Sequence, residues 1–349
     1  MSAERTLEVL ENLLAPAGVS GCEHDIADVV QAAWEPLADE VVRTPLVSVH
    51  ALVRGRCCEP RPKLMVSAHM DSIGMIVSGF SGEFLRLTPA GGFDPRLLPG
   101  QAVRVLGRRP ISGTLLPPPS HRTSDPPTPL TALLVDCGLD SAALTEVVRI
   151  GDPVCLAQAP IRLGDSRLAS PRLDNRVSLA ALTLCLEALS VDRPQWDFAA
   201  AAVVREETDA AGSMTSAHAL APQAAIAVDT TYGRSSDLPA HSTFPLGAGL
   251  TSSWGPAVHP GLYRLLEQAS AACDVPIVPE FLPNLTGTDA DDIQLALEGV
   301  PTAVLSIPVL NLHSPVEVVD LRDIERAARL LAELAMHLGD RYVLEAGDA

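Results

Sequence analysis

The chain has 349 residues, 47% of them hydrophobic and 3% aromatic, with 25 Lys and Arg against 43 Asp and Glu and a formal net charge of −18. Its length and apolar content suit a large core and two domains, while the acidity argues against nucleic acid and anionic membranes, both of which bind basic surfaces. No run approaches the ~18 uninterrupted apolar residues of a membrane span.

The N-terminal MSAERTLEVLENLL places acidic residues inside its apolar period, which a signal peptide does not. Seven cysteines, Cys57 and Cys58 adjacent, show no disulfide or zinc-knuckle spacing, so reduced thiols in a cytoplasmic protein are expected. Helical spacing covers Thr6–Leu14 and Asp25–Leu37, with a glycine-bearing turn at Pro16–Glu23. Val41–Val53 alternates as strands do, and Lys63–Ala68 reads as a buried strand.

Composition changes after Gly74. From Met75 to Leu163, short β-branched runs separated by Gly and Pro suggest a small β-barrel inserted into a larger domain. Ser120–Pro129, with His121, reads as an exposed loop of that insertion. Beyond Ser166 the chain alternates: helix Val177–Leu189, strand Phe198–Val204, helix Ala211–Leu220, strand Ala224–Val228. After an irregular stretch come helix Gly261–Ala272, strand Val275–Phe281, helix Ala290–Leu297, strand Thr302–Ile307 and helix Asp320–Leu338. Alternation of this kind builds a sheet with helices on both faces. Residues 1–74 and 164–349 are therefore expected to form one discontinuous α/β domain around the insertion 75–163.

Chemistry concentrates at strand ends. In VSAHMDSIG (66–74), His69 can ligate a metal while Asp71 holds the ring's other nitrogen. Asp174 precedes a helix, Glu206 and Glu207 follow a strand, Asp229 ends one, and His313 follows another. Each has a plainer reading: an N-cap for Asp174, a solvated face for the glutamates, a turn for Asp229, a loop histidine for His313. Together they form a mixed N/O set suited to zinc, cobalt or manganese. If Asp174 bridges two ions, His69, Asp174 and Asp229 hold one and Asp174, Glu207 and His313 the other. Such a pair, ~3.5–4 Å apart, activates a shared water. Glu206 diverges from its neighbour Glu207, which suits a general base.

The motifs HMDSIG, LDNR, REE, VD and LHSP stand in an order and at intervals that resemble the glutamyl/tetrahedral aminopeptidases, dinuclear metallopeptidases whose members are also named cellulases or endoglucanases. GGFDPRLLPGQAVRV, GTLLPPPSH, DCGLDS, VRIGDPV, GTDADDIQ and SPVEVVDLRDI extend the resemblance over nearly the whole chain. It implies a three-layer α/β/α metallopeptidase domain with an inserted β-barrel-like dimerisation domain, and dimers that build a tetrahedral dodecamer. It also implies two divalent ions per subunit, zinc or cobalt first and manganese next, on His69, Asp174, Glu207, Asp229 and His313. Asp71 stands behind His69 and Glu206 is the base.

The resemblance thus implies an aminopeptidase acting on short peptides. Four departures stand out: Ser72 for an acidic residue, Thr208-Asp209 after the paired glutamates, Leu310-Asn311 for Arg-Tyr, and Gly247-Ala248-Gly249-Leu250 for a GKGP-like turn. Leu310 and Asn311 keep open a deacylase or amidohydrolase acting on other amides. Low aromatic content disfavours an endoglucanase. Asp289 reads as an N-cap first and a pocket residue second.

Overall fold

The computed structural model describes residues 2–117, 129–236, 238–339 and 341–344. His121 and most of the expected loop Ser120–Pro129 lie outside them. The chain forms a three-layer α/β/α unit and a closed barrel. The large sheet has eleven strands, and its centre is four parallel ones: Asp197–Val203, Lys63–His69, Ala224–Tyr232 and Thr302–Leu310. Parallel strands covered on both faces read as continuous apolar runs, and Asp197–Val203 (DFAAAAV) is buried at every position.

Its side chains alternate between the two covering layers. Phe198, Ala200 and Ala202 face the main core, while Ala201 and Val203 face a smaller one with Met65, Ala217 and Ile293. Helices Ala3–Leu14, Leu173–Val191 and Leu321–His337 cover the first face. Ala211–Leu220 and Ala290–Ile293 cover the second. Leu173–Val191 lies against the sheet and against helices Ala3–Leu14 and Leu321–His337, and this explains why most of its residues are buried.

The barrel closes in the order Gly74–Ser81, Phe84–Ala90, Leu134–Asp136, Pro110–Leu116, Ala102–Leu106, Pro153–Leu156, every pairing antiparallel. Closure leaves no free sheet edge. Met75, Val77, Leu85, Leu87, Val103, Leu115, Val135 and Val154 fill it as a cluster separate from the main core.

Several elements differ from expectation. Ile161–Leu163 pairs with Arg167–Ser170 in the large sheet rather than in the barrel. The helix expected over Ala290–Leu297 stops at Ile293, and Leu297 sits at φ 58°, where no helix continues. Two strands, Leu250–Trp254 and Glu317–Asp320, occupy stretches without a strand signature. The first, LTSSW, buries Thr251, Ser252 and Ser253 because strands flank it on both sides.

Trp34 belongs to the main core. It is fully buried, and its indole Nε1 donates to Thr183 Oγ1 at 2.9 Å. Trp34→Ala should lower the unfolding free energy by about 3–5 kcal/mol. The measurement is a fall in the urea midpoint at unchanged slope.

Candidate metal centre

The parallel register delivers the expected residues to one rim. His69 ends its strand opposite Val203. The chain leaving Val203 turns at Arg205 (φ 66°) and presents Glu206 and Glu207 beside it. Asp229 lies in the next parallel strand, opposite Ser306. His313 follows the strand beyond, in a turn where Asn311 and His313 both adopt positive φ (56° and 58°). Asp174 falls where helix Leu173–Val191 is kinked: Asp174 and Asn175 are non-helical, and Asn175 Nδ2 donates to Val228 O at 2.9 Å. Asp174 is therefore not an N-cap. All of this lies at the carboxyl ends of the central strands, where open α/β sheets bind ligands.

Two trios share Asp174. His69 Nε2 lies 3.3 Å from Asp174 Oδ1 and 3.6 Å from Asp229 Oδ1. His313 Nε2 lies 3.4 Å from Asp174 Oδ2 and 3.3 Å from Glu207 Oε2. Each trio brings three donor atoms within 4.8 Å of one another. Glu206 stands just outside, with Oε2 3.8 Å from His69 Nε2.

Two further buried acids hold the turns that carry these groups. Asp71 Oδ1 accepts from the Glu206 amide at 3.1 Å, and Oδ2 from the Glu207 amide at 3.2 Å. Its oxygen is 3.6 Å from His69 Nδ1, which lies closer, at 3.2 Å, to the Asp71 carbonyl. The expected carboxylate–imidazole bond is thus secondary to a clamp on the glutamate turn. Glu317 does the same on the other side: Oε2 accepts from the Asp174 amide at 3.0 Å and Oε1 from the His313 amide at 3.1 Å. Sequence reading missed this role, and the only signal is an acid four residues after His313 in a stretch that becomes a buried strand.

The electrostatics follow from packing so many acids together. Burial pushes Glu206 up to about 9, against the pull of His69. Burial also raises Glu207 and Glu317 well above the usual carboxylate range, with Asp174 adding to both. Asp174 itself is held low, because its contacts with His313 and His69 outweigh its burial. Burial pulls His69 down, yet Glu206, Asp174, Asp229 and Asp71 lift it well above its ordinary value. A cavity of ≈ 490 Å³ opens over the trios, bordered also by Thr231, Ser253, Glu280 and Leu282. A second, ≈ 650 Å³, shares Gly92, Leu312 and His313 with it. Among the described residues no Lys or Arg lines either one.

The M42 glutamyl aminopeptidase family matches residues 49–330. The chain belongs to this family. It is a peptide hydrolase. A lysyl aminopeptidase of Pyrococcus furiosus is 33% identical over 341 residues, covering 95% of this chain and 97% of that one. An aminopeptidase from the archaeon Desulfurococcus kamchatkensis superposes with a TM-score of 0.88 at 29% identity, covering 96% of this chain and 95% of that one. The TET1 peptidase of Pyrococcus horikoshii, described as assembling into a tetrahedron or a large octahedral shell, gives 0.83 at 25% identity, covering 95% and 99%.

Where this M42 chain departs from the motif pattern, Ser72, Gly247, Gly249 and Asn311 bond to other parts of the chain rather than to the trio side chains. Ser72 is buried and donates to Gly18 O. Gly247 and Gly249 donate their amides to Asp323. Asn311 donates to Val316 O on the rim of the second cavity. Asp289 makes no capping bond, and its Oδ1 is buried without a partner.

Freed of metal, this M42 chain should weaken as pH rises. Burial holds Glu23 and Asp289 up at about 7 and Glu206 at about 9. Each binds its proton more tightly folded than unfolded, so its contribution is complete below an unfolded pKa of about 4 and is lost as pH rises through the folded value. His69, also raised, acts with the same sign above about 6.5. His50, lowered to about 4 by burial, opposes the trend only below about 6.5. The urea midpoint of chelator-treated protein should therefore fall between about pH 5 and pH 9. Saturating divalent metal should remove the part of that slope that comes from His69 and Glu206, which face the trios.

Proposed function

We propose that this peptide hydrolase is a dinuclear metal-dependent aminopeptidase that removes N-terminal residues from short peptides. One observation carries the reading: Asp174 directs Oδ1 at the His69 trio and Oδ2 at the His313 trio. Donor atoms about 2.0–2.2 Å from one tetrahedral ion stand about 3.3–3.6 Å apart, and the four histidine–carboxylate distances fall in that range. Asp174 Oδ1 and Glu207 Oε1 are also buried without any hydrogen-bond partner, as acids awaiting a cation are. The residues present therefore fit two ions. His69, Asp174 and Asp229 would hold one, and Asp174, Glu207 and His313 the other. The N/O donor set suits zinc or cobalt, with manganese next.

Two bound dications would polarise the scissile carbonyl and acidify a water between them. Glu206, whose Oε2 stands just outside the trios at 3.8 Å from His69 Nε2, takes the proton of the attacking water as the water oxygen bonds to the carbonyl carbon. When the carbon–nitrogen bond breaks, Glu206 returns that proton to the leaving amine. Asp71 sets where Glu206 stands by holding its backbone amide, and it acts through that residue rather than on the substrate.

We further infer that the inserted barrel, expected over 75–163 but ending before Ile161, and the rest of the chain behave as two domains, and that the barrel serves self-association in a homo-oligomer. Its apolar interior is separate from the main core, and the TET1 peptidase of similar fold assembles into closed shells. No helix among the described residues is long and apolar enough to cross a membrane. All seven cysteines are free thiols, which supports a cytoplasmic setting.

Glu206→Gln should retain two ions per subunit while kcat falls by about 10²–10⁴-fold. His313→Ala should retain one ion. Elemental analysis beside aminoacyl-anilide turnover checks both, and unchanged metal content in His313→Ala would contradict the ligand assignment. Faster turnover of N-blocked than of free-amine substrates would favour a deacylase.

A further inference from the structure

The cavity over the trios has one carboxylate that neither belongs to them nor acts as the base. This is Glu280, on strand Ile277–Phe281. Its position follows from the sheet. Asp229 and Thr231 lie two residues apart on one strand, so their side chains share a face about 6.6–6.8 Å apart along it. Thr231 Oγ1 donates to Glu280 Oε1 at 2.7 Å, and Thr251 Oγ1 donates to Oε2 at 3.0 Å. Strand Leu250–Trp254 pairs in parallel with Ile277–Phe281, setting Ser253 against Glu280, and Ser253 also lines the cavity.

Two hydroxyls thus fix the plane of the Glu280 carboxylate beside Thr231, which stands one pleat away from Asp229. Each oxygen keeps lone-pair capacity for another donor. Among the described residues the side-chain partners of Glu280 are the hydroxyls of Thr231 and Thr251, with no Lys or Arg, and none lines the cavity. A largely buried carboxylate without a counter-ion is costly unless a cation reaches it. The cavity supplies the way in, and Tyr232 and Leu282 supply walls for an aliphatic stem.

We propose that Glu280 selects the substrate: it receives the ammonium or guanidinium of a lysine or arginine at the peptide's N-terminus, while the carbonyl of that residue lies over the trios. The span from Asp229 to Thr231 matches the extended stem of such a side chain. An acidic N-terminal residue would place two carboxylates together and be rejected. An apolar one would leave Glu280 unpaired. The inference rests on the aminopeptidase reading for its reaction, but not for its binding site.

Two measurements on the metal-loaded full chain test it. For turnover, lysyl and arginyl anilides should exceed leucyl and glutamyl anilides in kcat/KM by about tenfold or more. In Glu280→Gln, which keeps the shape and the hydroxyl contacts, the lysyl-to-leucyl ratio should fall towards unity. For binding, calorimetry should find L-lysinamide held about tenfold more tightly than L-norleucinamide, with the difference erased in Glu280→Gln. Leucyl turnover equal to lysyl, or a ratio indifferent to Glu280→Gln, overturns the proposal and leaves the peptidase standing. Silence toward every anilide with lysinamide still preferred removes the peptidase and supports the cation pocket. Equal binding of the two amides overturns the pocket whatever the turnover.

Discussion

Everything at the rim depends on how the chain tolerates so many buried carboxylates around two imidazoles. Asp71, Asp174, Asp229, Asp289 and Glu317 are all buried there, and the cavity above them is bordered by no Lys or Arg among the described residues. Such a cluster is self-repelling unless its members find donors or cations. Asp71 and Glu317 resolve this with backbone. Each spends both oxygens on two amides of the turns that present Glu206, Glu207, Asp174 and His313. These paired clamps fix four of the groups around the cavity without using any cation of the protein. Of the trio carboxylates, Asp174 Oδ1 and Glu207 Oε1 are left without such donors, and theirs is the charge two dications would balance.

The scaffold supplies the precision. Four parallel strands with both faces covered place His69, Asp229 and the segment after Val203 in fixed register. Alanines along Asp197–Val203 allow helices to close on both faces of the sheet. The kink at Asp174 turns that carboxylate across the opening, and the Asn175 bond to Val228 ties it to the strand that carries Asp229. The barrel lies just past His69 in the chain, and Gly92 from it lines both cavities.

Much of this was legible in the residues. The alternation of helix and strand beyond Ser166 and the short β-branched runs after Gly74 express periodicities that burial imposes directly, and the structure has both the sheet and the closed barrel. His69, Glu206, Glu207, Asp229 and His313 stand out because each follows an apolar strand. The clamps are less visible. Asp71 reads as a partner for the neighbouring imidazole because only local spacing is on view, whereas its partners lie 135 and 136 residues away. Glu317 is hidden in a strand whose burial comes from pairing with Arg167–Ser170 and Thr302–Leu310. Glu280 sits on a strand whose neighbour, LTSSW, has no apolar alternation, so nothing local marks either as a cavity wall. Asp289 likewise looks like a cap until tertiary packing buries it without a capping bond.

The most direct test of the account is anomalous diffraction from crystals grown with zinc or cobalt. It predicts two peaks per subunit, about 3.5–4 Å apart: one within about 2.0–2.2 Å of ligand atoms on His69, Asp174 and Asp229, the other equally close to Asp174, Glu207 and His313. A single peak, or two peaks that do not share Asp174, would contradict it.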